Sequence, residues 1–223
     1  MYSVALLSVH GCPVSRLGEK DTGGMNVYLL QVAKELGKLG VKVDIFTRYH
    51  DRNDPQVIKL GENARTVHLK AGPYDQAKDG LHQHIPEFLD NLYEFQRSEG
   101  LRYDIVHSHY WLSGSVGRKL SLEWNIPHVA MFHTLGKSKM QARYGERESD
   151  IRISTEGRVI ESADVIVAST EQERGDLSRL YGAAVDRVRV IPAGVDTELF
   201  RPLDKVIARE ALGIKESHVI LSV

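Results

Sequence analysis

The stretch KDTGGMNVYLLQVAKELGKLGVKVDIFTR, residues 20–48, decides the fold. Leu29, Val32, Leu36 and Leu39 recur at helical spacing, which predicts an amphipathic helix over 25–39, and Gly40 is a natural stop. VKVDIFT, 41–47, then reads as a strand, and YSVALLSV, 2–9, as a near-continuous apolar strand before the helix. A strand, a helix and a second strand in that order make a right-handed βαβ unit. An uninterrupted apolar strand suits a sheet that is buried on both faces.

Outward from this unit the same beat recurs. Residues 66–70 read as strand, 85–99 as helix, 103–107 (YDIVH) as strand and 114–124 as helix. Strand 127–132 (PHVAMF) follows, then a long polar helical region to about 162, strand 164–168 (DVIVA), helix 171–181 and strand 187–191 (RVRVI). The alternation predicts an α/β, doubly wound parallel sheet with helices on both faces.

At 223 residues and 42% apolar content the chain has ample material for a core. A formal charge of −1, with a pI near 6.8, gives no electrostatic case for nucleic acid or an anionic membrane. Cys12 is the single cysteine, which rules out an internal disulfide and fits a reducing compartment. No apolar run approaches 18 residues and no charged leader precedes one, so the expectation is a soluble, cytoplasmic protein without a membrane span.

In a doubly wound sheet ligands gather outside the carboxyl ends of the strands. Gly23 and Gly24 open the first helix there. Bare backbone admits a ligand closely, and the free N–H groups of a helix start favour an anion. A plain tight turn explains the pair equally well on this feature alone. The loop is not G-x-G-x-x-G, so a nicotinamide dehydrogenase loses ground.

Two further strands end in polar and aromatic residues. YDIVHSHYWLSG, 103–114, places His107, His109, Tyr110 and Trp111 after one strand. HTLGKSKMQAR, 133–143, places His133 and Thr134 after another, with Lys137, Lys139 and Arg143 behind. Each histidine alone would ordinarily be a hydrogen-bonded or surface residue, but two such strand ends beside a glycine-opened helix point to one crevice. A metal at His107 and His109 is disfavoured, because there is no nearby cysteine or H-x-x-x-H. SGSVG, 113–117, is not the G-x-S-x-G of a serine hydrolase.

Five ordered motifs, GGMNVY, HSHYWLSG, HTL with Lys137 and Lys139, ESADVIVAST with Glu173, and VIPAGVDTELFRPL, together resemble one family. It is the retaining GT-B glycosyltransferases of the sucrose-synthase-like kind, including the sucrose-phosphate and inositol-phosphate branches. The resemblance spans essentially the whole chain. It implies two Rossmann-like domains with the active site between them. Residues 1–203 would be the acceptor-binding N-terminal domain, and 204–223 the link and first strand of a donor-binding domain. The glycine-rich turn and paired glutamates expected of that second domain do not occur in the 223 residues.

The resemblance also assigns roles. Gly23 and Gly24 would contact the donor diphosphate, and His133 would stand beside the reacting sugar carbon. His10, Asp21 and Asn26 would line the acceptor pocket. Lys78, Tyr110, Thr134 and Arg152 would hold an acceptor phosphate, as would Lys139. The substrates implied are a nucleotide sugar and a sugar-phosphate acceptor, with no other cofactor. No D-x-D occurs, so no metal-bridged donor is expected. Lys and Arg match phosphate oxygens well, and hydroxyls add donors. For Arg143 and Arg147 a solvated helix face with i,i+4 pairs is the preferred reading. An epimerase or phosphorylase on the same scaffold, and a sugar-phosphate-binding module without turnover, are the competing functions.

Overall fold

The computed structural model of this chain describes residues 1–15, 23–143 and 145–221. Two compact units make up the chain, residues 1–192 and residues 193–223. The first holds a sheet of eight strands in the order β3-β4-β2-β1-β5-β6-β7-β8. These are β1 Ser3–Leu7, β2 Lys42–Arg48, β3 Val57–Gly61, β4 Ala64–Leu69, β5 Ile105–His109, β6 His128–Met131, β7 Val165–Ala168 and β8 Val188–Val190. All neighbours pair parallel except β3 and β4, which form an antiparallel edge hairpin with an irregular register between Lys59 and Gly61. The sheet is therefore mixed rather than purely parallel. The short, half-exposed β3 offers no long apolar run from which to predict it.

The helices of this unit are α1 Gly24–Lys38, α2 Ile85–Ser98, α3 Tyr110–Trp124, α4 Gly136–Ala142, α5 Asp150–Ser162 and α6 Glu171–Tyr181. The period of two in the central strands explains their unbroken apolar sequence. Val4, Leu6, Val43 and Ile45 pack with Leu29 and Ala33 of α1 on one face. Ala5, Leu7 and Phe46 pack with Phe88 and Leu92 of α2 and Leu112 of α3 on the other. A further core joins β6, β7 and β8 to α5 and α6 through Ala130, Ile160, Ile166 and Leu177.

Two boundaries differ from the sequence expectation. The helix predicted over 114–124 begins at Tyr110, so HSHYWLSG is a strand running straight into a helix. The long polar helical region is two helices, α4 and α5, with a non-helical stretch before Ser149. Ser149 starts α5, its Oγ accepting from the Arg152 N–H at 3.3 Å.

The second unit contains α7, Lys205–Ala211, capped by Asp204, whose Oδ1 accepts from the N–H groups of Val206 and Ile207. Residues 218–221 form no regular element. No helix among the described residues is long and apolar enough to cross a membrane.

Candidate active site

Strand order reverses on either side of β1, so β1 and β5 flank the topological switch point, where a crevice opens at the carboxyl ends. The residues leaving those ends are His10 after β1, Tyr110 after β5 and His133 after β6. Parallel pairing sets His109 opposite Met131, so His133 follows two residues beyond and meets His109. His109 Nδ1 lies 2.8 Å from His133 Nε2, one ring donating to the other.

The rings extend into a row. His107 and His109 have centroids 4.2 Å apart, and Tyr28, one turn into α1, sits 5.4 Å edge-on to His133. Burial holds the His133 imidazole down to about 4 and His109 well below its ordinary range. His107 falls to about 3 through burial and the neighbouring His128 and His133. His10 also falls to about 3, through burial first and then the charges of Lys78, His50, His133 and Arg152. These are neutral imidazoles at pH 7. Nδ1 of His10 and Nε2 of His107 and His109 are buried without a hydrogen-bond partner among the described residues.

Backbone strain marks the same spot. His133 has φ +59, and the Thr134 N–H donates to the Phe132 carbonyl at 2.7 Å, closing a three-residue turn around His133. Tyr110, the first residue of α3, has φ +76. Neither is glycine or asparagine, so each holds a conformation costing on the order of 1–3 kcal/mol.

Arg152 forms the opposite wall. It is 5% exposed, and its guanidinium carbon lies 4.9 Å from the centre of the Tyr110 ring. Its Nη2 donates to the carbonyl and Oγ1 of Thr134 at 2.9 and 3.2 Å. Nε donates to Glu156 at 2.8 Å and Nη1 to Glu148 at 2.9 Å. Lys78 opens a 3-10 turn and brings Nζ to 5.6 Å from the Tyr110 ring, while the His10 ring is 4.4 Å from it. Lys139, on α4, reaches this group through Glu148 at 2.7 Å and is also paired to Glu146 at 2.6 Å.

The structure thus brings His10, Lys78, Tyr110, Thr134 and Arg152 together, with Lys139 attached through a carboxylate and His133 adjoining through Thr134. Asn26 is buried, and its Nδ2 donates to the Cys12 carbonyl at 2.7 Å, pinning the loop after β1. Gly23 caps α1 with φ 176 and Gly24 begins it; among the described residues a Cβ on either would meet nothing within 4 Å. The tight-turn explanation through positive φ therefore does not apply to them. Asp21 lies outside the described residues. Arg143 is an exposed partner of Glu146 at 3.4 Å.

Sequence reasoning missed Glu156. It is fully buried, and besides Arg152 it accepts from the Gly136 N–H and the Tyr181 hydroxyl. The spacing Glu148, Arg152, Glu156 is i,i+4 twice over and was the available signal. His109 and Tyr28 were not assigned roles either. Among the described residues no group of three or more His, Cys, Asp or Glu side chains could hold a metal ion. A hollow of about 600 Å³ borders the site, lined by His50, Asp51, Tyr74 and Asp75, and His50 Nε2 lies 3.3 Å from the His10 carbonyl. Another of about 520 Å³ opens at the amino ends of the strands, beside Ser3, Lys42, Asp44 and Tyr103. It is at the wrong end of the sheet for these residues.

A family model described as Glycosyltransferase Family 4 matches residues 22–199. The chain belongs to this glycosyltransferase family. It is 39% identical over 225 residues to "D-inositol 3-phosphate glycosyltransferase 2" of Catenulispora acidiphila, covering 98% of this chain and 52% of that protein. The D-inositol 3-phosphate glycosyltransferase of Corynebacterium efficiens is 40% identical over 202 residues, with 89% and 48% covered. Among solved structures, a sucrose-phosphate synthase from Thermosynechococcus elongatus superposes with a TM-score of 0.87 at 34% identity, covering 96% of this chain and 53% of that one. The chain spans about half the length of the curated relatives it matches. Its doubly wound sheet is the N-terminal half of a GT-B glycosyltransferase fold.

Proposed function

We propose that this chain is the acceptor-binding half of a retaining glycosyltransferase. The whole enzyme would move a hexose from a nucleotide sugar to a phosphorylated sugar or cyclitol. The observation that carries this reading is Arg152: a buried guanidinium over the Tyr110 ring and bonded to Thr134, with the Lys78 ammonium near the same ring. A buried fork beside hydroxyls and a second cation is the chemistry that recognises a phosphate. The named relatives that act on inositol phosphate, and the sucrose-phosphate synthase, point the same way.

The mechanism that suits these residues is front-face transfer. The departing diphosphate oxygen takes the acceptor proton while the sugar passes through an oxocarbenium-like state. This route needs no protein nucleophile. His133, neutral and held in a strained turn, would offer its carbonyl and ring to the developing positive charge. Gly23 and Gly24 would meet the diphosphate with backbone alone. Asp21, Asn26 and His10 would line the acceptor pocket. Residues 204–223 would lead into the donor-binding domain.

Calorimetry on residues 1–223 with D-inositol 3-phosphate and with unphosphorylated inositol tests the reading. Losing charge-assisted contacts to phosphate costs roughly 1.5–3 kcal/mol, so the neutral cyclitol should bind at least tenfold more weakly. Equal binding would overturn a phosphate-selective acceptor pocket. Binding without transfer by the longer enzyme would favour a sugar-phosphate-binding module instead.

A further inference from the structure

Two carboxylates share the Arg152 guanidinium, and they are held very differently. Glu156 lies inside α5, is fully buried, and is also bonded by the Gly136 N–H and the Tyr181 hydroxyl. Glu148 lies in the non-helical stretch before α5, with its side chain 13% exposed. Its Oε1 is 2.7 Å from Lys139 Nζ and its Oε2 is 2.9 Å from Arg152 Nη1. It spans the two cations with its two oxygens, as a phosphate would. Glu146 adds a further carboxylate on Lys139. Lys139 and Arg152 therefore already face three carboxylates, and no net positive charge is left on this pair to draw in an anion.

We propose that Glu148 is an internal stand-in for the acceptor's phosphate, displaced when a phosphorylated acceptor binds. The inference rests on the phosphate-pocket reading above. A dianion on two cations outcompetes a single carboxylate, whereas a neutral sugar has no charge with which to displace it. Glu148 thus makes the pocket select for phosphate by exchange. Its release costs little backbone order, because it belongs to no helix or strand, while Glu156 stays in place to keep Arg152 aimed. Glu148 is in this sense a specificity-determining residue rather than a catalytic one.

The test is calorimetry of residues 1–223 with inorganic phosphate, D-inositol 3-phosphate and inositol, on the wild type, Glu148→Gln and Arg152→Lys. Glu148→Gln should bind both phosphorylated probes about tenfold more tightly, which is ~1.4 kcal/mol, and inositol no differently. Unchanged or weaker phosphate binding by Glu148→Gln, in a protein whose binding Arg152→Lys abolishes, would overturn the stand-in and leave the pocket intact. Phosphate binding indifferent to Arg152→Lys, or none in either the wild type or Glu148→Gln, would overturn the pocket and the stand-in together. Should Glu148→Gln fold poorly, the wild type supplies a second readout. Burial pushes the Glu148 carboxyl upward, but Lys139 and Arg152 hold it below its ordinary value. Saturating phosphate should release it, moving its carboxyl NMR titration upward, and a titration that stays put would sink the proposal.

Discussion

The two walls of the crevice solve the burial of polar groups in opposite ways. On the wall built from β5 and β6, His107, His109 and His133 stay neutral; His109 and His133 share one hydrogen bond, and Nε2 of His107 and of His109 has no partner among the described residues. On the wall built from α4 and α5, Lys139, Arg152, Glu148 and Glu156 stay charged and pair oxygen by oxygen. The first has stripped itself of charge. The second has saturated its charge, which is the state the proposed exchange at Glu148 starts from. A buried group is tolerable either as a neutral acceptor or as a complete ion pair, and this site uses each where its chemistry differs.

Acid should separate the walls most strongly. The imidazoles of His10, His107 and His133 sit at about 3, 3 and 4 in the folded chain. On unfolding they regain ordinary values near 6.5, so each takes up its proton in the window between. Their contribution is therefore complete above about pH 6.5 and is lost as pH falls toward 3–4. Shifts of this size correspond to roughly 3–5 kcal/mol per ring, comparable together with the ~5–15 kcal/mol of an ordinary domain. The melting temperature of residues 1–223 should fall steeply below pH 6 and the fold should be gone near pH 4. A flat profile down to pH 4 would mean that the histidine wall is not neutral by burial.

The charged wall should break next. Arg152→Ala removes the counter-charge of the fully buried Glu156 and should cost about 3–5 kcal/mol by thermal or denaturant unfolding. Adding Glu156→Gln should recover part of that loss, since the stranded carboxylate is then gone. Simple additivity of the two changes would show that the pair is not coupled. Arg152→Ala is for this reason a poor probe of binding, and Arg152→Lys a better one.

The smallest stability effect belongs to the start of α1. Gly24→Val places its Cβ where nothing among the described residues lies within 4 Å, at a position without positive φ. Unfolding should change by no more than ~0.5 kcal/mol. If the proposed donor contact holds, the same valine in the full enzyme crowds the diphosphate, and misplacing a reacting group by about 1 Å lowers transfer roughly a hundredfold. A destabilised but fully active Gly24→Val would sink the donor-contact role.

The fold was legible because the apolar periods of β1, α1 and β2 are strong and local. The β3 edge was not, because VIKLG is a half-exposed edge strand whose place is set by antiparallel pairing with β4. Nor was the break between α4 and α5 read, although Gly145, with φ +84, stands in it and glycine is a helix stop. At the site, the types of residue could be read but their partnerships could not. His109 and His133 are 24 apart and meet only because β5 and β6 are neighbours. Glu156 reads as one more surface charge until tertiary packing buries it. The start of α3 was misjudged because a positive φ at Tyr110 leaves no mark in composition.

The left-handed backbone at Tyr110 and His133 has a consequence for any attempt to improve this protein. Glycine or asparagine would occupy those conformations more cheaply than tyrosine or histidine. Selection for heat resistance alone would therefore press on two positions of the candidate site, trading its tyrosine and histidine for an easier chain. Robustness and chemistry compete there for the same two residues, and variants bred without an activity screen would drift toward sturdy proteins with a blunted site.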